Sequence, residues 1–115
     1  MRLFRFPHRP RHAPGEPRGR EVVRLRGELD ARNASATGRR LVRLINTGPE
    51  VLEVDLAQVK YVSPDGCEAL FMALRAARAR GTTRLVVTHA NDRARLVMYQ
   101  LGLSRALWSE DSDGS

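Results

Sequence analysis

The sequence predicts an α/β domain: a small, mostly parallel sheet of four to five strands with helices packed on it. Three observations predict it. Short runs of β-branched and aliphatic residues alternate with longer stretches of helical period. Capping and breaking residues mark each change of period. The chain has 115 residues, enough for one domain with one core and too few for two. Strands alternating with helices require crossover connections, and crossovers give parallel pairing.

In order along the chain, Leu3, Phe4 and Phe6 suggest a short first strand at residues 3–6, but Pro7 and Pro10 follow and cannot donate to a ladder. Residues 21–29 read as a strand, Val22-Val23-Arg24-Leu25-Arg26, with Val23 and Leu25 on one face. Gly27-Glu28-Leu29-Asp30 leaves that strand, and Asp30 suits the N-cap of a helix at 31–46. Ala34, Leu41, Leu44 and Ile45 follow the helical period there, Thr37 and Gly38 weaken the first half, and Gly48-Pro49 stops the helix.

Residues 51–56 are strand formers, and 58–61 read as a link to Val62. Ser63-Pro64-Asp65 opens a helix to about Arg80, with Cys67, Leu70, Phe71 and Leu74 facing the core. Arg75, Arg78 and Arg80 suit its C-terminal dipole, and Gly81 suits its end. Residues 84–88 form another buried strand. Asn91 or Asp92 then caps a last helix through Leu101, with Ala94, Val97, Met98 and Leu101 inward. Residues 103–108 are expected to pack back, and 109–115 form a frayed acidic end.

The formal charge of +7 is uneven. Residues 1–20 hold six arginines against Glu16 alone, whereas 21–115 are nearly balanced. A segment of Arg, Pro, His and Gly buries too little to offset its ordering entropy, so residues 1–20 are expected to be disordered and 21–108 to form the domain. Aromatic residues are only 5% of the chain, which argues against nucleic-acid readout through the Arg-rich tail. The single cysteine excludes an internal disulfide and a multi-cysteine zinc site. No stretch has the apolar length of a membrane span or the h-region of a secretory signal, so a cytoplasmic location is expected. Cys67 reads as a buried, inert thiol, and His89 as a lone histidine after a strand. There are no paired catalytic carboxylates, no phosphate-cradling glycine loop and no nucleophile–base pair. The chain reads as a binding protein, not an enzyme, with neither metal nor cofactor.

Two segments carry a signal. Gly27-Glu28-Leu29-Asp30 joins a strand to a helix. In Ser63-Pro64-Asp65-Gly66, capping explains the first three residues: the Ser63 hydroxyl accepts from the N–H of Asp65 or Gly66, Pro64 lacks an N–H that is orphaned anyway, and Asp65 meets the positive helix end. Capping leaves Gly66 unexplained, since glycine inside a helix costs about 1 kcal/mol against alanine. Close approach of another backbone or of a bound group is a reason for it.

These segments resemble the STAS domain family, which comprises anti-sigma factor antagonists and C-terminal domains of sulfate transporters. The resemblance rests on Val23-Arg24-Leu25-Arg26-Gly27-Glu28-Leu29-Asp30, Val54-Asp55-Leu56 with Val59 and Tyr61-Val62, Ser63-Pro64-Asp65-Gly66, Gly81 with its following strand, and Leu101-Gly102-Leu103. It implies a STAS-like fold over residues 21–107 and a surface that binds a partner.

In the family's anti-sigma antagonists the second helix opens on Asp-Ser-Ser-Gly. The serine before the glycine is phosphorylated by an anti-sigma kinase, and the phosphate breaks the complex. Here Ser63 takes the Asp position, Pro64 the first Ser, Asp65 the phosphoacceptor, and Gly66 matches. A serine kinase cannot phosphorylate Asp65, and its single charge is an incomplete mimic of phosphoserine. Ser63 stands as the alternative acceptor. The resemblance makes Asp30, Ser63, Pro64, Asp65, Gly66 and Glu68 the expected partner contacts. The expected partner is an anti-sigma factor with a kinase-like fold, or the ATPase subunit of an ABC-type phospholipid transporter.

Overall fold

The computed structural model describes residues 19–103. Three strands, β1 (Arg20–Leu29), β2 (Val51–Val62) and β3 (Arg84–Thr88), alternate with α1 (Ala34–Ile45), α2 (Glu68–Arg80) and α3 (Asp92–Gln100). A short 3-10 helix, Asp65–Cys67, leads into α2. The sheet order is β1-β2-β3 and both pairings are parallel. The α/β class is therefore as read, with three strands among the described residues in place of four to five. The segment 3–6, offered as a first strand, lies outside the described residues, as do 104–108. Among the described residues no helix is long and apolar enough to cross a membrane.

Right-handed crossovers taken twice in one direction put both helices on one face of the sheet. Accordingly α1 and α2 pack against each other. Val23 and Leu25 of β1, Leu52, Val54 and Leu56 of β2, and Leu85 and Val87 of β3 join Leu41, Ile45, Leu70 and Met98 in one core. The alternate residues Arg20, Arg24, Glu53, Asp55 and Thr88 point the other way and pair across the strands. Arg20 Nε lies 2.9 Å from Glu53 Oε1 and Arg24 Nε 3.5 Å from Asp55 Oδ2, while Thr88 Oγ1 donates to Glu53 at 2.7 Å.

Four local expectations are corrected. β2 does not stop at Leu56: residues 58–61 continue it, because β1 pairs onward through two register shifts to Leu29↔Val62. Second, α1 begins at Ala34, not residue 31, because Asp30 forms a turn instead of a helix cap. Its Oδ1 accepts from Arg32 N at 3.0 Å, and its carbonyl accepts from Asn33 N and Ala34 N. Third, the inward face of α2 is wider than the sequence suggested: Ala69, Ala73 and Ala77 join Cys67 and Leu70 in the core, and Phe71 and Leu74, half-buried, pack against it as read. Small residues are needed where the helices meet closely: a Cβ on Gly38 of α1 would strike the Met72 thioether and lie 3.3 Å from Ala69 Cα. Fourth, α3 stops one residue short, leaving Leu101 exposed.

Other signals hold as read. α2 ends at Gly81 with φ +78°, a conformation that glycine adopts without strain. Asn91 caps α3, its Oδ1 accepting from Ala94 N at 2.8 Å.

Candidate functional site

The carboxyl ends of β1 and β2 lie side by side and deliver the Asp30 loop and the Ser63–Gly66 turn to one corner. In open α/β sheets ligands are commonly bound outside the carboxyl ends of the strands. The joint between the two segments is the Leu29 carbonyl. It accepts from Ser63 N at 3.0 Å. Gly66 presses against the same group: a Cβ there would collide with the Leu29 carbonyl and stand 2.9 Å from Asp30 N. Gly66 is buried. Its missing side chain serves this internal contact, the close approach of another backbone that the sequence offered as one reason for the glycine.

The other residues of the turn are placed as their chemistry suggests. Ser63 is half-buried and its Oγ accepts from Gly66 N at 2.9 Å. Cys67 N donates to the carbonyls of Ser63 and Pro64, at 3.2 and 3.1 Å. Pro64 and Asp65 are exposed, carried outward on a turn whose backbone is bonded from beneath. Glu68 is exposed at the start of α2 and lies 3.4 Å from Arg75 Nη2, a surface pair of little energetic weight. The structure thus gathers Asp30, Ser63, Pro64, Asp65 and Gly66 at one corner, with Glu68 one step along the helix.

The Asp30 loop is braced from within. Asn33 Oδ1 accepts from Asp30 N at 3.0 Å and its Nδ2 donates to Glu28 O at 2.9 Å. Arg32 Nη2 donates to Asp30 Oδ2 at 3.0 Å and lies 3.7 Å from Glu28. The guanidinium hydrogen bond holds the Asp30 carboxyl below the usual aspartate range, against a smaller opposing effect of burial. Sequence reasoning missed Arg32 and Asn33. The signal was present in an Asp-x-x-Asn spacing that builds turns by bonding its own backbone. Gly27, Glu28, Arg32, Asn33 and Lys60 line a shallow depression beside this loop.

Cys67 is buried, and burial pushes its thiol up to about 11. A thiol reagent at mildly alkaline pH is expected to leave the folded protein unmodified and to label Cys67 only after denaturant is added. Rapid labelling of the native protein refutes this placement.

His89 is not alone, as the sequence suggested. Potential ligand atoms of Glu53, Asp55 and His89 lie within 4.8 Å of one another. His89 Nδ1 stands 3.1 Å from Asp55 Oδ1. The carboxylates are already engaged: Glu53 by Arg20 and Thr88, Asp55 by Arg24 and by Ala57 N at 2.9 Å. A cation there must compete with two guanidiniums, so the group reads as a hydrogen-bonded brace of the sheet.

Fold and corner together define a small α/β domain with an exposed acidic turn at the carboxyl end of its sheet. The sequence profile of the family described as "Mlab, STAS domain" matches residues 12–108, most of the chain, and the chain belongs to that family. Solved structures agree. The anti-sigma factor antagonist SpoIIAA in its unphosphorylated form superposes with a TM-score of 0.65 at 19% identity, covering 78% of each chain. A sulfate transporter family protein from Wolinella succinogenes gives 0.63 at 22% identity, over 79% of this chain and 73% of that one. The Bacillus cell fate determinant SpoIIAA in the phosphorylated form gives 0.58 at 15% identity, over 90% and 87%. At these identities the likeness establishes the fold. A search of curated proteins finds no match.

Proposed function

We propose that this STAS domain is a partner-switching module of the anti-sigma antagonist kind, acting in the cytoplasm. Its Asp30 loop, its Ser63–Asp65 turn and the exposed side of α2 dock onto a kinase-like anti-sigma factor and so alter sigma-factor availability. The observation that carries this reading is the placement of Asp65. Asp65 is exposed, on a turn that Leu29, Ser63 and Gly66 fix to the sheet, and the resemblance in sequence aligns it with the family's phosphoacceptor serine. Resemblance in fold to SpoIIAA supports it. With aspartate there, the site carries a fixed charge of −1 where a phosphoserine carries about −1.5 to −2.

Asp65 also favours a second reading. A domain that needs no phosphorylation suits a small STAS subunit contacting the ATPase of an ABC-type phospholipid transporter. The two readings part on one experiment. Affinity capture with the chain, followed by mass spectrometry, identifies the partner. Asp65→Arg is then expected to weaken that complex by about tenfold to a hundredfold, as loss of an interface anchor does. Unchanged affinity rules out this surface. Asp65→Ser incubated with the partner and ATP is expected to take up phosphate in the anti-sigma reading and none in the transporter reading. Native protein serves as control, and labelling of the native chain at Ser63 marks that residue as the acceptor.

A further inference from the structure

Among the described residues the large apolar side chains left exposed are Tyr61, Leu96, Tyr99 and Leu101, and all but Tyr61 lie on α3 or directly after it. Leu96 is 54% exposed and Tyr99 70%. They stand three residues apart on the helix, so they form one patch and not two scattered exceptions.

A helix turns about 100° per residue. In α3 that puts Ala94 and Met98 towards the core, with Val97 half-buried beside them. On the opposite side Asp92, Leu96, Tyr99 and Gln100 fall within about 100° of arc, and Arg93 borders them. All five are exposed. The side chains of Asp92, Arg93, Tyr99 and Gln100 make no hydrogen bond or ion pair among the described residues. The stripe is thus apolar at its centre and carries an unused carboxylate, guanidinium, hydroxyl and amide around it.

The order of these groups along α3 makes the stripe its own complement. When a second copy of the helix lies antiparallel about Leu96, the two Leu96 side chains meet on the two-fold axis. The Tyr99 hydroxyl then faces Asp92 of the second copy, a donor against an anion, and Arg93 faces the amide oxygen of Gln100. The axis repeats both pairs, as a self-complementary patch requires. Each positive helix start also lies beside the negative end of the other helix. A parallel pairing would instead bring two positive starts, and the two Asp92 carboxylates, together.

We infer that two copies of this chain associate through the exposed faces of α3, antiparallel about Leu96. The helix has nine residues and is about 13 Å long, so the pairing buries less than the about 1,200 Å² of a stable interface and the dimer is weak and exchanging. α3 packs on β2, whereas the Asp30 loop and the Ser63–Asp65 turn belong to other elements. The inference therefore does not depend on which partner the acidic corner binds.

The test is sedimentation equilibrium of the full chain from about 10 µM to about 1 mM, over which the average mass should rise from one copy towards two. Leu96→Glu with Tyr99→Glu should weaken association by at least about tenfold. Both side chains are exposed, so the circular dichroism spectrum and Tm of dilute protein should stay unchanged. Tyr99→Phe, which loses the hydroxyl alone, should weaken it by about fivefold to tenfold. Oxidation of Leu96→Cys should give a disulfide-linked dimer, while the native chain, its Cys67 buried, stays single. Asp92→Cys should stay single too, because the two copies of residue 92 then lie about 12 Å apart along the helices, beyond disulfide reach. A chain that remains monomeric at about 1 mM overturns the inference and leaves the stripe to a different protein. A dimer that survives both glutamates overturns it as well, as does Asp92→Cys linking as fully as Leu96→Cys.

Discussion

Gly66→Ala is expected to lower stability by about 3 kcal/mol, the overpacking range for a site that cannot relax. The sign is the informative part. Replacing a helical glycine by alanine ordinarily stabilises by up to about 1 kcal/mol. Here the added methyl meets the Leu29 carbonyl and the amide of Asp30, which are backbone groups with no rotamer to turn away. To admit it, α2 must retreat from β1. The hydrogen bond from Ser63 N to Leu29 O is then lost, and the Asp30 loop separates from the Asp65 turn. Partner affinity should therefore fall along with stability. Urea unfolding followed by fluorescence or circular dichroism gives the first quantity, and titration with the captured partner the second. A Gly66→Ala protein as stable as the native one removes the close contact on which the geometry of the corner depends.

Leu70→Ala is expected to cost a similar amount by another route. Leu70 is completely buried between α2 and the sheet, and deleting its isobutyl group leaves a cavity worth about 3 kcal/mol. For a domain of this size that is a fall in Tm of about 15 °C. The helix backbone and the Leu29 joint are untouched, so at temperatures where the variant is folded its partner affinity should match the native value. Calorimetry and binding on both variants separate stability from recognition. A Leu70→Ala protein that keeps its Tm contradicts the packing described here, and one that loses affinity while folded assigns α2 packing a direct part in binding.

The contrast between these residues shows what a single sequence can disclose. Leu70 was legible as core because its neighbours repeat at the helical period. The Ser63 cap was legible because capping is local chemistry within three residues. Gly66 was legible only as an anomaly. Its reason, the Leu29 carbonyl, comes from the end of another strand and leaves no mark near residue 66.

The same boundary explains the other corrections. Residues 58–61 include Gln58 and Lys60 and look like a link, yet pairing with β1 keeps them extended. Asp30 had the residue type of a helix cap, and a cap and an Asx turn look alike until the direction of the next residues is known. His89 and Asp55 met only when β2 and β3 paired. The exposure of Pro64 and Asp65, by contrast, follows from their position in a turn and matched its expectation.

Each strand pairing in this sheet joins segments that a whole helix separates: Arg20 meets Val51, and Val51 in turn meets Arg84. Among the described residues nothing zips up from a hairpin. The entropy of closing long loops is therefore met before any ladder bond forms, which sets such chains in the slower range among small two-state folders. β2 contributes both interfaces, so a nascent chain that has emerged only through α1 holds an edge of Val23 and Leu25 with no strand to receive it. During synthesis the domain is a late, all-or-nothing folder, and its exposure to aggregation is greatest before the middle strand arrives.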